Sequence, residues 1–213
     1  MFEGLIDFFV SGGFFMLPLA LCSVVSVAFI VERGIALRRS EVIPSDLYGA
    51  MMRMRMGQDT TEIQQMAAPG SSTLARLVRI CLEHLPWSKA ENVEAVQTQA
   101  RTEISKLERG LVVLEITTGV APLLGLLGTA SGLITVFANI GEVGLDNQGM
   151  IIARGIAEAL NTTVAGLVIA IPSLIAHSYY SKKIEAMAVE MESLCMDFLT
   201  KCYLNSGEAT PDS

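Results

Sequence analysis

Residues 111–140 read LVVLEITTGVAPLLGLLGTASGLITVFANI, an apolar run long enough to cross a membrane as a helix. Two other runs share this character: the uncharged residues 14–31, FFMLPLALCSVVSVAFIV, and residues 156–180. A hydrocarbon core of about 30 Å needs roughly 20 helical residues, so the first run lies near the lower limit. Any one run could be a buried helix of a soluble protein, but three in one small chain favour membrane spans.

The predicted fold class is therefore all-α: a polytopic membrane protein with three transmembrane helices, two of them extended into a cytoplasmic helical bundle. Only 17% of the 213 residues are charged, against about 25% in soluble domains. The net charge of −7 argues against a nucleic-acid partner, which would require a basic surface. The four cysteines form no CxxC pair and are expected to be reduced, buried thiols.

Lysine and arginine positions predict the orientation in the membrane. No basic residue precedes Arg33, and the connection 141–155 contains only Arg154, whereas the segment 32–110 contains eleven. The tail after Tyr180 adds three lysines. We therefore expect residues 1–13 and 141–155 on the outer side, and residues 32–110 and 181–213 in the cytoplasm. Residues 1–10 form either an interfacial helix or a frayed terminus, and their lack of basic residues argues against a cleaved signal peptide.

Capping signals predict helices in the cytoplasmic segment. Ser45 or Asp46 follows Pro44 as an N-cap, Ser72 or Thr73 can cap a later helix, and the stretch from Ser88 to Glu91 fits a capping box. Only Pro122 interrupts the sequence from there to Ile140, so one very long helix is expected to run from the cytoplasm into the membrane. The apolar period after residue 180 predicts that the third span also continues as a helix.

The second span carries a stripe of small and hydroxyl residues at spacings of three and four. Small residues let membrane helices approach closely, so packing is the simplest explanation of the glycines. A proline in this position is expected to kink the helix, with a neighbouring group bonding the freed carbonyl. The stripe consists of Thr118, Pro122, Gly125, Thr129 and Gly132, and Gly128 forms a GxxxG with Gly132.

The third span has a similar stripe and a carboxylate. An ionisable side chain within a span normally faces the interior of a bundle and marks an ion or proton path. Glu158 fits that role, although it could instead lie at the outer interface or pair with Arg154 one turn earlier. The stripe consists of Gly155, Ala159, Thr162, Gly166, Ala170 and Ser173.

Two threonines on the antiparallel second and third spans are predicted to lie at similar depth. A helical rise of 1.5 Å per residue puts Thr129 about 16 Å below the outer end of its span and Thr163 about 12 Å below. Together with Thr162 they could form a ring of hydroxyls in an assembly. The alternative is that each threonine only bonds a carbonyl of its own helix.

These motifs resemble a known family. The stretch from Ala121 to Gly132, APLLGLLGTASG, followed by Gly155 to Pro172, GIAEALNTTVAGLVIAIP, is similar to the MotA/TolQ/ExbB proton channel family, and most similar to ExbB and TolQ. Over nearly the whole chain the resemblance also covers the order of spans and the large first cytoplasmic segment. The sequence Asn161-Thr162-Thr163 departs from close relatives, which are often more apolar there.

The resemblance implies a stator subunit of the inner membrane without a cofactor, a metal or catalytic residues. Such subunits form a homo-oligomer, a pentamer, around an ExbD/TolR-like single-span subunit with a membrane aspartate. Proton-motive force then drives motion that passes to a TonB- or TolA-like transducer, and membrane lipid surrounds the assembly. Thr129 and Thr163 match the pore-lining hydroxyls of the family, and Glu158 matches its carboxylate in the third span.

Two other functions compete with a proton channel. A Na⁺-driven or gliding-type stator would use the hydroxyl stripe for a dehydrated cation. A non-conducting membrane scaffold would use Glu158 and the threonines for packing alone. An enzyme is the least expected class, because the sequence shows neither a nucleophile–base set nor a metal-ligand cluster.

Overall fold

The computed structural model describes residues 14–55, 59–68, 72–139 and 148–204. All the regular structure in these ranges is α-helical, as the sequence predicted. The predicted outer N-terminal segment, residues 1–13, and residues 141–147 of the predicted outer loop lie outside the described residues. The helices are α1 (Met16–Ala36), α2 (Arg39–Val42), α3 (Ser45–Arg53), α4 (Thr61–Ala67), α5 (Thr73–Glu83), α6 (Lys89–Glu108), α7 (Leu111–Asn139) and α8 (Gln148–Tyr203).

Three of these helices are long and apolar enough to cross a membrane: α1, α7 and α8. This confirms the prediction of three transmembrane helices. Within the single chain, only 11% of the most apolar window of α1 is buried, and 33% and 39% of the windows in α7 and α8. Most of their apolar surface is thus left for lipid or for other subunits to cover.

The chain divides into two compact units. The first contains α1 as far as Arg33, α7, and the part of α8 up to Tyr179. Its core combines residues from all three helices, and the many alanines let the helix backbones approach closely. The buried members are Met16, Leu19, Ala121, Ala165 and Ala170.

The second unit is a bundle of α2 to α6 with the C-terminal part of α8. The predicted caps at Ser72 and Ser88 are confirmed: the Ser72 hydroxyl accepts a bond from the Ala75 amide at 3.2 Å, and Ser88 forms a complete capping box with Glu91. The predicted cap at Ser45 or Asp46 is wrong by one residue. Pro44 is the N-cap of α3 because its carbonyl already accepts the first helical bond, from Tyr48 at 3.0 Å.

The one long helix expected from Ser88 to Ile140 is interrupted at Arg109 and Gly110, which separate α6 from α7. The Arg33 side chain lies against Gly110, where a Cβ atom would be 2.3 Å from the Arg33 Nε. This close contact comes from a distant helix, and no local sequence signal reveals it. The predicted continuation of the third span is confirmed, because α8 runs unbroken over 56 residues.

The bundle contains a buried carboxylate, Glu103, whose side chain is 1% exposed. It accepts bonds from Arg76 Nε at 2.8 Å, Lys106 Nζ at 2.7 Å and Gln99 Nε2 at 3.0 Å. Burial raises the pKa of the Glu103 carboxyl, but the bonds from Arg76 and Lys106 outweigh burial and hold the pKa below its usual range. This network ties α5 to α6.

The C-terminal end of α8 is fastened by Tyr203. Its hydroxyl lies 3.0 Å from the Trp87 carbonyl and 3.1 Å from the Asn92 amide nitrogen, which also donates to the Cys81 carbonyl at 2.9 Å. All four cysteines are free thiols, and Cys22 alone is only half-buried. A hydrogen bond with Cys195, together with burial, raises the pKa of the Cys81 thiol, so this group stays protonated and unreactive.

Candidate functional site

The small-residue stripes of α7 and α8 face each other. A Cβ atom on Gly125 would lie 2.7 Å from the Thr162 carbonyl oxygen, and one on Gly166 would lie 2.5 Å from the Ala121 carbonyl oxygen. Real Cβ atoms do not come this close to backbone, so both positions require glycine for the helices to approach as they do. Pro122 belongs to this contact, since its Cα would be 3.3 Å from a Cβ on Gly166.

The other glycines extend the contact toward the C-terminal end of α7 and the N-terminal end of α8. A Cβ on Gly128 would be 2.7 Å from the Thr162 hydroxyl oxygen, and one on Gly132 would be 2.8 Å from the Ala159 Cβ. A Cβ on Gly155 would be 2.1 Å from a methyl carbon of Val136. The six residues expected to serve helix packing thus lie along one α7–α8 contact.

Three threonine hydroxyls meet at the middle of this contact, and we call Thr129, Thr162 and Thr163 the hydroxyl cluster. The Thr129 and Thr163 hydroxyls are hydrogen-bonded to each other, which confirms that they lie at the same depth. Thr129 also reaches the Ala159 carbonyl at 3.1 Å, so its bonds are not confined to its own helix.

The Gly125 carbonyl is the shared acceptor of the hydroxyl cluster. Its oxygen lies 3.1 Å from the hydroxyls of Thr129 and Thr162, and 3.2 Å from that of Thr163. Each hydroxyl has one proton and two lone pairs, so it can donate to only one of its neighbours at a time. The Thr129–Thr163 bond can therefore run in either direction, with the last proton donated to Gly125 or to Ala159.

The three threonines differ in how much of each side chain is exposed. Thr162 is 1% exposed and sealed between the helices, where it donates to the Ala159 carbonyl at 2.7 Å. Thr129 and Thr163 are half-buried, and part of each side chain reaches the surface of the single chain. Thr162 was expected to line a path with the other two, but its position supports them from behind.

Glu158 lines a cavity of about 330 Å³ near the C-terminal end of α7 and the N-terminal end of α8. Ser131 and Thr135 contribute hydroxyls to its wall, and Glu158 is the only ionisable group among the described residues that line it. Arg154 pairs with Glu158 at 3.0 Å, so the pairing that the sequence left open is present. The wall consists of Phe14, Phe15, Gly128, Ser131, Gly132, Thr135, Val136, Gly155, Glu158 and Ala159.

The cavity and the hydroxyl cluster adjoin. Ala159 lines the cavity with its side chain, while its carbonyl accepts bonds from Thr129 and Thr162. Thr162 follows Glu158 by four residues, which is about one helical turn. Three features therefore follow one another along the α7–α8 contact: the Glu158 carboxylate, the cavity and the hydroxyl cluster.

One polar contact was missed by the sequence analysis. Ser26 of α1 and Ser173 of α8 share a hydrogen bond of 2.6 Å, and both are buried. A hydroxyl within the apolar first run was a usable signal, because polar side chains join helices in membranes. Its partner could not be identified without knowing which face of α8 meets α1.

Comparison with known proteins gives a consistent result. The sequence pattern of the MotA/TolQ/ExbB proton channel family matches residues 70–193, more than half of the chain. A Synechocystis sp. protein described as an ExbB-like biopolymer transport protein is 35% identical over 178 residues, covering 80% of this chain and 68% of the relative.

Two other relatives come from distant bacteria. Biopolymer transport protein ExbB of Aquifex aeolicus is 33% identical over 106 residues, which cover 50% of this chain and 70% of that protein. Biopolymer transport protein exbB1 of Vibrio cholerae is 26% identical over 160 residues, which cover 74% of this chain and 70% of that protein.

Proposed function

We propose, because the chain belongs to the MotA/TolQ/ExbB proton channel family, that it is the proton-channel subunit of an ExbB/TolQ-type complex. The family is one of membrane channels and transport proteins rather than enzymes. The complex would couple proton-motive force to mechanical work for import or for envelope processes.

One observation carries this proposal: polar groups lie close together between two apolar helices. Glu158 lines the outer cavity, and the hydroxyl cluster lies on the other side of Ala159. Polar groups inside a membrane are costly, so several of them along one helix contact support a function beyond packing. Thr129 and Thr163 would line the path, and the buried Thr162 would hold them in place.

The series requires a partner to conduct. Threonine hydroxyls exchange protons but do not store charge at neutral pH, so a relay past Thr129 and Thr163 needs a second titratable group. A membrane aspartate on an ExbD/TolR-like single-span subunit would supply it. Several copies of this chain around that subunit, a pentamer by family resemblance, would turn Thr129 and Thr163 into rings around the acid.

Orientation follows from the same proposal. The outer ends of α7 and α8, with Glu158, would face the side from which protons enter. The bundle of α2 to α6 would lie in the cytoplasm, where its basic residues are expected. A TonB- or TolA-like transducer would receive the motion on the outer side of the inner membrane.

Proton flux into liposomes tests the proposal. Liposomes that contain this chain with its single-span partner should acidify under an imposed proton gradient, and those with either protein alone should not. Glu158→Gln should reduce the flux while leaving the assembled complex intact. If wild-type and Glu158→Gln complexes are equally impermeable after assembly is verified, a scaffold explains the chain better.

A sodium-driven stator is the second candidate, and the hydroxyl cluster supports it. The Gly125 carbonyl lies within hydrogen-bond distance of all three hydroxyls, and the Ala159 carbonyl within that distance of Thr129 and Thr162. Neutral oxygens of this kind suit a hard monovalent cation as well as a proton relay. Replacing Na⁺ by K⁺ on both sides of the liposome should leave the flux unchanged in a proton channel and abolish it in a sodium channel.

A further inference from the structure

The strongest unassigned feature is the side chain of Arg154 beside the outer cavity. Its Nε donates to the Glu158 Oε1 at 3.0 Å, across one turn of α8. The Arg154 side chain is 82% exposed, and that of Glu158 is 40% exposed. The guanidinium of this pair is thus much more exposed than the carboxylate, which lines the cavity.

No other charged side chain on the described helices contributes to the cavity wall. Phe14, Phe15 and Val136 are apolar, and the remaining polar wall is made of the Ser131 and Thr135 hydroxyls. Neither hydroxyl is an ion that could balance Glu158. Arg154 is thus the charged group in direct contact with the single carboxylate of this space.

We propose that Arg154 is a positioning residue that guards the outer entrance. Its guanidinium holds the Glu158 carboxylate at the mouth of the cavity and occupies the place that an incoming cation must take. Proton entry then requires the ion pair to open. This inference rests on the proposed channel function and adds a regulator to it, namely a contact within α8 that limits access to the first acceptor.

An arginine and a glutamate four residues apart on a helix meet without strain, and a lysine in place of Arg154 would still reach the Glu158 carboxylate. A glutamine would keep most of the length of the side chain but remove its charge. The substitutions R154K and R154Q therefore separate the charge of residue 154 from its bulk.

The first readout does not depend on conduction. A membrane-permeant carbodiimide modifies carboxyl groups, and mass spectrometry of the assembled complex measures the modification of Glu158. R154Q should increase the modification rate about two- to fivefold, the range expected for loss of an exposed ion pair. R154K should match the wild type, and Glu158→Gln gives the background.

The second readout is partner-dependent proton flux in liposomes. R154Q should raise the flux at a small imposed gradient by a similar factor, and R154K should restore it. Lys182→Gln is the matched control, because it removes a similarly exposed ion pair with Glu185 on the same helix, away from the cavity. It should change neither readout.

The outcomes separate this inference from the proposed function. If the wild type conducts and R154Q changes neither the modification rate nor the flux, the guard role is overturned while the channel stands. A fall in the R154Q flux with normal assembly would also overturn the guard role. If the wild type does not conduct but R154Q still speeds modification and R154K reverses it, the positioning of Glu158 stands while the channel function fails.

Discussion

Each unit buries polar side chains, and each of these depends on a particular hydrogen-bond or ion-pair partner. Glu103 is kept by cations, Arg76 and Lys106, that reach it from the surface of the bundle. Thr162 is kept by two backbone carbonyls, those of Gly125 and Ala159. Ser26 is kept by Ser173. In each case at least one partner is supplied by an adjacent helix, namely Arg76, Gly125 and Ser173, so these contacts specify the packing as well as stabilise it.

Glu103→Gln should destabilise the protein at neutral pH. Hydrogen bonds to a charged group contribute about 1.5–3 kcal/mol to stability. Because the cations are partly exposed, we expect the free energy of unfolding to fall by an amount near the lower end of this range. The pKa of Glu103 is lowered in the folded state, so its stabilisation is complete above the unfolded pKa of about 4.3 and is lost as the pH falls through the folded value.

Thermal unfolding of the detergent-solubilised protein at several pH values measures this effect. The difference between wild type and Glu103→Gln should be largest at neutral pH and shrink in acid. A difference that does not vary with pH would contradict an ionised, paired carboxylate. Glu185→Gln is the control, since that side chain is 64% exposed in an ion pair on the surface of α8.

At the level of elements, local signals in the sequence predicted where several helices begin. Ser72 and Ser88 were identified from their spacing to the following residues, and the three apolar runs from their length. These features depend on neighbours within one helical turn. The break at Gly110 was not predicted, and the Arg33 side chain that lies against it comes from 77 residues earlier in the chain, beyond the reach of local signals.

The candidate site was predictable to a similar extent. The spacing of the small residues predicted the stripes on which Thr129 and Thr163 lie, and the rise per residue of a helix predicted their similar depth. Their hydroxyls are indeed hydrogen-bonded to each other. The sealed position of Thr162 could not be predicted, because it depends on the rotation of α8 against Gly125 and Gly128. The bond between Ser26 and Ser173 depends in the same way on the position of α1.

Gly166→Ala should separate α7 from α8. The added Cβ would be 2.5 Å from the Ala121 carbonyl oxygen, and backbone cannot move aside as a flexible side chain can. We expect a lower unfolding temperature and loss of partner-dependent flux, because the hydroxyls of α7 and α8 would no longer meet. Thermal unfolding and the liposome assay measure the two effects.

Gly119→Ala is the matched control for that substitution. Gly119 lies on α7 as well, and a Cβ there would have no atom within 4 Å. Alanine favours a helix over glycine by about 0.8–1.0 kcal/mol, so this variant should be as stable as the wild type or more so. Equal stability of Gly166→Ala and Gly119→Ala would contradict the close α7–α8 contact.

For the whole molecule, the distribution of charge and apolar surface predicts how the chain lies in the inner membrane. The second unit contains most of the basic residues, and the three apolar helices leave most of their surface uncovered within one chain. The positive-inside rule therefore predicts residues 32–110 and the C-terminus in the cytoplasm.

Labelling with a membrane-impermeant maleimide tests this orientation. Met150→Cys should react in intact cells, since Met150 is 76% exposed near the start of α8 and would face the outer side. Arg79→Cys, at an exposed position of α5, should react only after the cells are opened. Labelling of the unsubstituted chain gives the background, and the reverse pattern would place the bundle outside.

The proposed proton path passes through the hydroxyl cluster, and Thr129→Val is the sharpest test of that path. Valine keeps the shape of threonine but removes the hydroxyl that joins Thr163 to the Ala159 carbonyl. Partner-dependent proton flux should persist in wild type and Thr129→Ser, and fall to the level of protein-free liposomes in Thr129→Val. An assembled Thr129→Val complex that conducts at the wild-type rate would show that the Thr129 hydroxyl is not part of a proton path.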